Sequence, residues 1–461
     1  LDPSVKFISC KDEKDLLIKF HKCILDENPD IIAGYNTFGF DDPYIADRSQ
    51  INKVSLNFGR IPIESWKAKD YVTTEKKTFE LASGKFAVRY ICMPGRLTID
   101  LLLSVRREQN LDSYKLDNVS SVFLRDKVTK IENNKIYTRN TRGLFEGNLV
   151  KFDIVTNTSN PYLEGKKFQI SNLTSNSFEI SENLFQDLSI EEKSKLEWTF
   201  TKDDVNAKIL FGSHYGTPED RGLIAKYCIQ DCDLVLTLMA KLDTFVNACG
   251  MADVCKVPIQ YIFLRGQGIK IYSAIVYNAS KRNQIIMSQE NEEGDTSYEG
   301  AIVLPPKIGM YLDQPIPVLD FNSLYPSNMI AFNLSPDTLV YVKTFNAQGK
   351  KISHEGSDGE EFILKGYKID EISYDIKNPD GRVTCGFVQP TEDLRTIGVI
   401  PQTLDILLKK RKETRKLMES IKDESQKSVL NGLQLAYKLS LIHISEPTRQ
   451  AEISYAVFCL K

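Results

Sequence analysis

The residues of this chain best suited to chemistry sit in Asp320-Phe-Asn-Ser-Leu-Tyr-Pro-Ser327, preceded by the apolar Pro317-Val-Leu. Ile316 to Phe321 reads as a strand that delivers Asp320 at its carboxyl end. A turn at Asn322 and Ser323 then leads into a helix from near Pro326, a residue suited to a helix start. A carboxylate there can bind a metal ion, and the free backbone N–H groups beside it can receive a phosphate. Tyr325, set under a nucleotide sugar, would exclude a 2′-hydroxyl. The competing reading is an ordinary strand-to-helix turn with a buried tyrosine.

Two more carboxylates stand earlier in the chain. In the helix around Tyr227, the apolar positions Leu223, Ile224, Cys228, Leu234, Val235, Leu238 and Leu242 form one face. Asp231 falls in that stripe, four residues after Tyr227, and an aspartate on a buried face costs several kcal/mol unless paired or metal-bound. An internal salt bridge would serve equally well for that residue alone. Asp41 follows the apolar strand Ile31–Ala33 in Tyr35-Asn-Thr-Phe-Gly-Phe-Asp41, just before Pro43, where an Asp-x-Pro turn is the plain alternative. Together, Asp41 and Asp231 are hard oxygen ligands for divalent metals. A metal pair about 4 Å apart stabilises the attacking and leaving oxygens of phosphodiester hydrolysis. Tyr227 would then orient the water.

The third group is cationic. Arg411 and Arg415 lie four residues apart on a helix carrying Lys409, Lys410, Lys412 and Lys416, so they share one face. Planar guanidinium forks bind phosphate oxygens in two places. A lone basic run is a solvated face more often than a site.

The elements that must hold these groups follow from periodicity. Asp12 to Glu27 is helical, with Leu16, Leu17, Phe20, Cys23 and Ile24 on one face. Gly95–Leu103 reads as a strand and Glu108–Phe123 as a helix. Helix and strand recur, so the first domain is α/β. It spans 1–142 and 201–285, the latter including a long helix from Glu219 to Val246. Between them, 143–200 is a β-rich insertion in which Asn148–Ile154, Lys167–Ile170 and Ser177–Ile180 are short strands, with no visible chemistry. The polar stretch 286–299 is a linker. The second domain runs from 300, with strands and turns to 398. Helices over 399–440 follow, the first opened by Pro401 and the second covering Ser428 to Ser440.

Composition gives little help. Of 461 residues, 42% are hydrophobic and 26% charged, ordinary values for a globular protein of two or three cores. The net charge of −3 favours a metabolic enzyme over a nucleic-acid binder, so any positive charge for DNA must be gathered in one groove. The nine cysteines include no CxxC pair, which points to a reduced intracellular protein rather than a disulfide or zinc framework. Leu1 opens no charged-then-apolar leader, so no secretory signal is expected, and no run is long enough to cross a bilayer.

Asp320 to Ser327 resembles motif A of family B DNA polymerases. Tyr35-Asn36 with Phe40-Asp41 resembles the second exonuclease motif of that family, and Tyr227 with Asp231 the third. Arg265-Gly266-Gln267 and Tyr298-Glu299-Gly300-Ala301 resemble the segments that link its two domains. The resemblance covers roughly residues 1 to 440 and is strongest to the delta-like enzymes of large double-stranded DNA viruses. It implies an RNase H-like 3′–5′ exonuclease domain, then a partial palm (300–398) and fingers (399–440). Asp41 and Asp231 would be exonuclease metal ligands, with Tyr227 placing water. Asn36, Arg265, Tyr298 and Gly300 would contact DNA. Asp320 and the Phe321 carbonyl would hold Mg²⁺, while Leu324, Tyr325, Arg411, Arg415 and Lys438 would bind the incoming nucleotide. The implied partners are primer–template DNA, deoxynucleoside triphosphates and a sliding clamp, with no membrane. The implied setting is the nucleus or a viral replication site in the cytoplasm. A nuclease relic with a decayed polymerase half, or a non-catalytic DNA-binding scaffold, are the alternatives.

The family pattern breaks after Lys438. Its Asn, Tyr and Gly positions hold Ile442, Ser445 and Glu446, and Pro447 would interrupt a helix the family keeps. Leu441 to Lys461 resembles a translated sequencing adapter, so 441–461 is expected to be foreign to the polymerase. An Asp-x-Glu strand is expected ahead of Leu1 and a Tyr-x-Asp-Thr-Asp-Ser turn beyond Ser440. With a carboxylate of each metal site missing, the 461-residue chain is expected to be inactive alone.

Overall fold

The computed structural model describes residues 5–61, 71–81, 84–139, 141–156, 159–182, 184–201, 212–213, 215–286, 305, 307–313, 315, 317–377, 380–393, 396–421 and 424–445. It divides into two compact units, Leu1–Phe245 and Val246–Lys461.

The first unit begins with α1 (Glu13–Glu27), capped by the Asp12 carboxylate, which accepts from the Asp15 amide. Of its apolar face only Leu17 is buried, whereas Leu16 and Phe20 stay exposed. Strand β1 (Ile31–Gly34) pairs in parallel with β4 (Leu97–Asp100), Ile31 opposite Leu97 and Gly34 opposite Asp100. Between them lie α2 (Asp41–Asn52) and the hairpin β2 (Thr74–Leu81) and β3 (Gly84–Ile91). Leu17, Val54, Leu56, Phe58, Val72 and Ile91 form the core under these elements. The strand expected over Gly95–Leu103 is shorter, because the chain turns at Asp100 into α3 (Leu101–Glu108). The helix expected over Glu108–Phe123 is only α4 (Leu116–Phe123), with non-helical chain between α3 and α4.

The β-rich part is a closed barrel. Its strands are β5 (Arg125–Glu132), β6 (Lys135–Thr138), β7 (Leu149–Val155), β8 (Ser159–Pro161), β9 (Phe168–Ser171), β10 (Ser177–Ile180) and, after the short α5 (Ile190–Ser194), β11 (Leu196–Thr201). The order is β11-β5-β6-β10-β9-β7, and β7 pairs back onto β11 with Phe152 opposite Trp198, which closes the ring. Closure pairs β7 with β11, two strands that would otherwise be open edges, while β8 adds on to β7 alone among the described strands. The alternating residues Leu196, Trp198 and Phe200 fill the interior, where the Trp198 indole N–H donates to Thr138 Oγ1 at 2.9 Å. The barrel starts well ahead of residue 143, the start expected from turn-rich sequence. Strands β5 and β6 are charged on their outer face and do not stand out by composition.

Helix α6 (Pro218–Lys241) opens with a capping box, Thr217 and Asp220, and packs against β1. Only its second half is buried, through Leu234, Val235, Thr237 and Leu238, and Leu223 is exposed. The apolar stripe predicted along its whole length is thus used only where the barrel and core cover it. Gly143, at φ +93°, permits that approach, since a Cβ there would lie 3.0 Å from Thr237 Cγ2. The helix expected to run on to Val246 ends at Lys241, and Asp243 adopts φ 50°.

The second unit carries α7 (Thr244–Cys255), α8 (Ile259–Leu264), α9 (Gln267–Ser280) and α10 (Leu324–Ala331). A four-stranded antiparallel sheet follows, made of β12 (Leu339–Asn346), β13 (Lys351–Gly356), β14 (Ile369–Lys377) and β15 (Asp380–Val388), with α11 (Glu360–Leu364) between β13 and β14. Helices α12 (Val399–Ser420) and α13 (Glu424–Ser445) pack together, burying Leu404, Leu407, Tyr437, Leu441 and Ile444 beside Met329 and Ile330 of α10. Thus α13 continues past Ser440 with Leu441 and Ile444 in its core, and 446–461 lies outside the described residues. Among the described residues no single helix is long and apolar enough to cross a membrane.

Candidate active sites

The loop carrying Asp41 is organised by Asp100, which no sequence motif marks. Asp100, 3% exposed, ends β4 and points its carboxylate back at the chain leaving β1. It accepts from the amides of Asn36 (2.8 Å) and Phe38 (3.1 Å) and caps α3 through Leu102 (3.0 Å). Asn36 takes a left-handed conformation, φ 62°, and its carbonyl accepts from Gly39 and Phe40, so the loop is a tight hydrogen-bonded turn. Phe38 is buried beneath it, and its carbonyl accepts from Arg89 of β3. The sequence signal for Asp100 was readable: an acidic residue at the end of an apolar strand and the start of a helix is a cap.

The two neighbouring aspartates take opposite roles. Asp41, the first residue of α2, is exposed, whereas Asp42 is buried and accepts from the Ile91 amide at 2.9 Å. Burial pushes the Asp42 carboxyl up to about 7 and that of Asp100 up to about 6, against the opposing pull of their backbone N–H partners. Burial also raises the Cys232 thiol, helped by the charges of Cys228, Asp233, Asp231 and Asp41. Cys232 is the neighbour of Asp231 on α6, so the Asp41 charge is felt on that helix. Tyr227 and Asp231 are both half-buried on that helix. Asn36 is exposed at the loop.

In the second unit the expected strand is absent. Residues 317–321 are irregular, with Val318, Leu319 and Phe321 at least three-quarters exposed in round terms, and Asp320 is exposed beside them. A strand needs a neighbour to take its hydrogen bonds, and among the described residues none pairs here. The helix starts at Leu324, with Ser323 left-handed at φ 54° ahead of it, so Pro326 falls inside the first turn rather than at its start. That turn has no intrahelical use for an N–H. Leu324 and Tyr325 are partly exposed on α10.

Helix α12 is fixed at its N-terminus by the loop after α10. Its cap residue, Gly398, has no side chain, and Asn333 Oδ1 accepts from the Gly398 amide (2.8 Å) while Asp337 accepts from Val399 (3.1 Å). This ties the basic helix to the end of α10, the helix that follows Asp320. Arg411 is half-buried, and among the described residues its Nε has no hydrogen-bond partner. Burial, then the charge of Arg415, pushes its guanidinium below the ordinary value. Arg415 and Lys438 are exposed. Arg265, at the end of α8, lies over the Tyr261 ring at 5.4 Å. Tyr298 and Gly300 lie outside the described residues.

Among the described residues no three acidic, histidine or cysteine side chains converge as a metal site. The donors that are present, Asp41 and Asp231 in one unit and Asp320 in the other, are right in kind for Mg²⁺ but short of an octahedral set.

The first unit carries Asp41 at the start of α2 and Tyr227 and Asp231 on α6, and the second carries the basic helix α12. Residues 1–119 match the model of the DNA polymerase family B exonuclease domain, and residues 257–441 match that of DNA polymerase family B. The chain belongs to DNA polymerase family B, as an exonuclease domain followed by part of a polymerase domain. It is 35% identical over 474 residues to a DNA polymerase of Phaeocystis pouchetii virus, covering 95% of this chain and 45% of that one. It is 38% identical over 419 residues to a DNA polymerase of Pyramimonas orientalis virus (90% and 32%). It is 30% identical over 432 residues to the DNA polymerase delta catalytic subunit of Candida albicans (93% and 31%). The chain therefore spans less than half the length of these relatives. A solved family B DNA polymerase from the archaeon Pyrobaculum calidifontis shares the fold, with a TM-score of 0.51 at 20% identity over 99% of this chain and 44% of that one. Tyr227 and Asp231 fall between the two matched stretches.

Proposed function

We propose that this chain is the proofreading and early polymerase part of a replicative enzyme that adds deoxynucleotides to a primer 3′ end and removes mismatched ones, inside a host cell. The observation that carries the reading is the placement of Asp41 and Asp320 on separate units, each inside the stretch that matches the corresponding family model. Asp41 and Asp231 would hold magnesium for the 3′–5′ exonuclease of an RNase H-like domain, and Asp320 with the Phe321 carbonyl would hold it in the palm. Bound magnesium supplies charge stabilisation for the attacking and leaving oxygens.

The protein's own groups do the rest. Tyr227 orients the attacking water, Asn36 holds the strand, and Arg265, Tyr298 and Gly300 contact DNA. Arg411 and Arg415, two like charges of which the first has a buried guanidinium nitrogen unpaired among the described residues, are suited to an incoming triphosphate. Lys438 adds a third cation, and Tyr325 beside Leu324 excludes ribonucleotides. Primer–template DNA and deoxynucleoside triphosphates are the substrates, and a sliding clamp is the proposed partner for processivity. With two carboxylates at one site and one at the other, the 461-residue chain by itself is proposed to have neither activity. Residues 441–461 are proposed to be foreign to the enzyme.

The test compares variants of the complete enzyme. Asp320→Ala should lower primer extension about a thousandfold or more and spare digestion, and Asp41→Ala should do the reverse. Loss of both activities in either variant would overturn the division of roles. Magnesium-dependent extension by the 461-residue chain would overturn its proposed inactivity.

A further inference from the structure

We propose that the β5–β11 barrel is a guide for the single-stranded 3′ end of DNA, with Phe145 stacking on a base a few nucleotides from the terminus. The proposal rests on the exonuclease reading of Asp41, Tyr227 and Asp231.

A cleft of about 230 Å³ lies between the barrel and α6. One wall is the loop from Gly143 to Asn148, with Gln169 of β9, and the other is the helix face bearing Lys226, Tyr227 and Asp231. Residues 227, 230, 231 and 234 share that face by helical spacing. Asp231 therefore lines the cleft opposite the barrel loop. A second hollow of about 310 Å³ shares Phe200, Thr201 and Leu234 with the first and is bordered by Lys115 and Lys151, with Asp117 beside them. The two hollows adjoin, Asp231 lining the first and the two lysines the second.

The loop is built to present its ring. The Phe145 amide donates to Asn148 Oδ1 at 2.9 Å, and the Asn148 amide donates back to the Phe145 carbonyl at 3.1 Å. Gly147, at φ +85°, donates to the Ile170 carbonyl of β9. The Glu146 carboxylate is engaged by the Leu173 amide at 3.2 Å, which ties it to the barrel. Phe145 nevertheless remains 55% exposed, on a fixed loop of a barrel that buries Phe152, Phe178, Phe185 and Trp198 almost completely. An exposed ring on a rigid loop, lysines along the groove and phosphodiester chemistry at one end suit an unpaired strand. Bases stack on the ring irrespective of sequence and phosphates meet the cations. A paired end would have no base free to stack, so the barrel favours frayed primers.

The test uses the 461-residue chain without metal and single-stranded oligonucleotides carrying 5-iododeoxyuridine either at the 3′ terminus or at the third position from it. Irradiation cross-links the iodinated base to a touching aromatic ring, and mass spectrometry maps the adduct. The third-position probe should label Phe145, and the terminal probe should label Tyr227 or the 36–40 loop. Phe145→Ala should remove the first adduct and weaken oligonucleotide binding about tenfold without moving the melting temperature, and Phe145→Tyr should restore both. If the terminal probe labels Tyr227 while the third-position probe labels nothing in the barrel, the guide is refuted and the exonuclease reading survives. If neither probe labels this unit, both fall.

Discussion

Asp41 and Asp320 sit in segments of similar design, an apolar stretch, a turn and a helix, yet only the first is held in place. The chain around Asp41 is pinned by the Asp100 carboxylate, by Phe38 in the core and by pairing of β1 with β4. The chain around Asp320 is exposed, with no strand partner among the described residues. A catalytic motif specifies residue types and a turn. What fixes its geometry is a partner strand and a buried acceptor supplied from elsewhere in the chain.

The largest expected effect falls on that buried acceptor. Asp100→Ala leaves the Asn36, Phe38 and Leu102 amides without their acceptor and should destabilise the first unit by about 3 kcal/mol. Urea unfolding measures it, and hydrogen exchange at Asn36 and Phe38 should accelerate in step. A loss below about 1 kcal/mol would mean that packing of Phe38 holds the loop.

A smaller effect should appear with pH. The Asp42 carboxyl is raised to about 7 and that of Asp100 to about 6, from an ordinary 3.8. The folded unit thus binds protons more tightly than the unfolded chain between about pH 4 and 7. The stabilising contribution is present at the acid end of that window and lost as pH rises through the folded values. Stability of the first unit should fall steadily across it, and Asp42→Asn should flatten part of the slope. A urea midpoint that does not change with pH in wild-type protein would refute this.

The smallest effect is expected at Asp320. Since the side chain is exposed and makes no described hydrogen bond, Asp320→Ala should change the stability of the second unit by no more than about 0.5 kcal/mol. A larger loss on thermal unfolding would erase the contrast between the two segments.

The sequence by itself was enough for the α/β class, the exonuclease-then-polymerase order, and α1, β1, β9, β10 and α12 to within a few residues. These depend on local periodicity and caps, such as Asp12 ahead of α1. Motif strings carried the family, because Asp320 to Ser327 and Tyr35 to Asp41 are short and contiguous. Only the tertiary structure decided which of Asp41 and Asp42 turns inward, since adjacent residues differ only in which side of α2 meets β3. It alone set Asp100 as the anchor of the loop, a pairing of residues 62 to 64 positions apart in the chain. It alone closed the barrel at β7 and β11 and brought Phe145 beside Asp231. Long-range contacts of this kind leave no periodic trace, because each partner reads locally as an ordinary turn or strand residue.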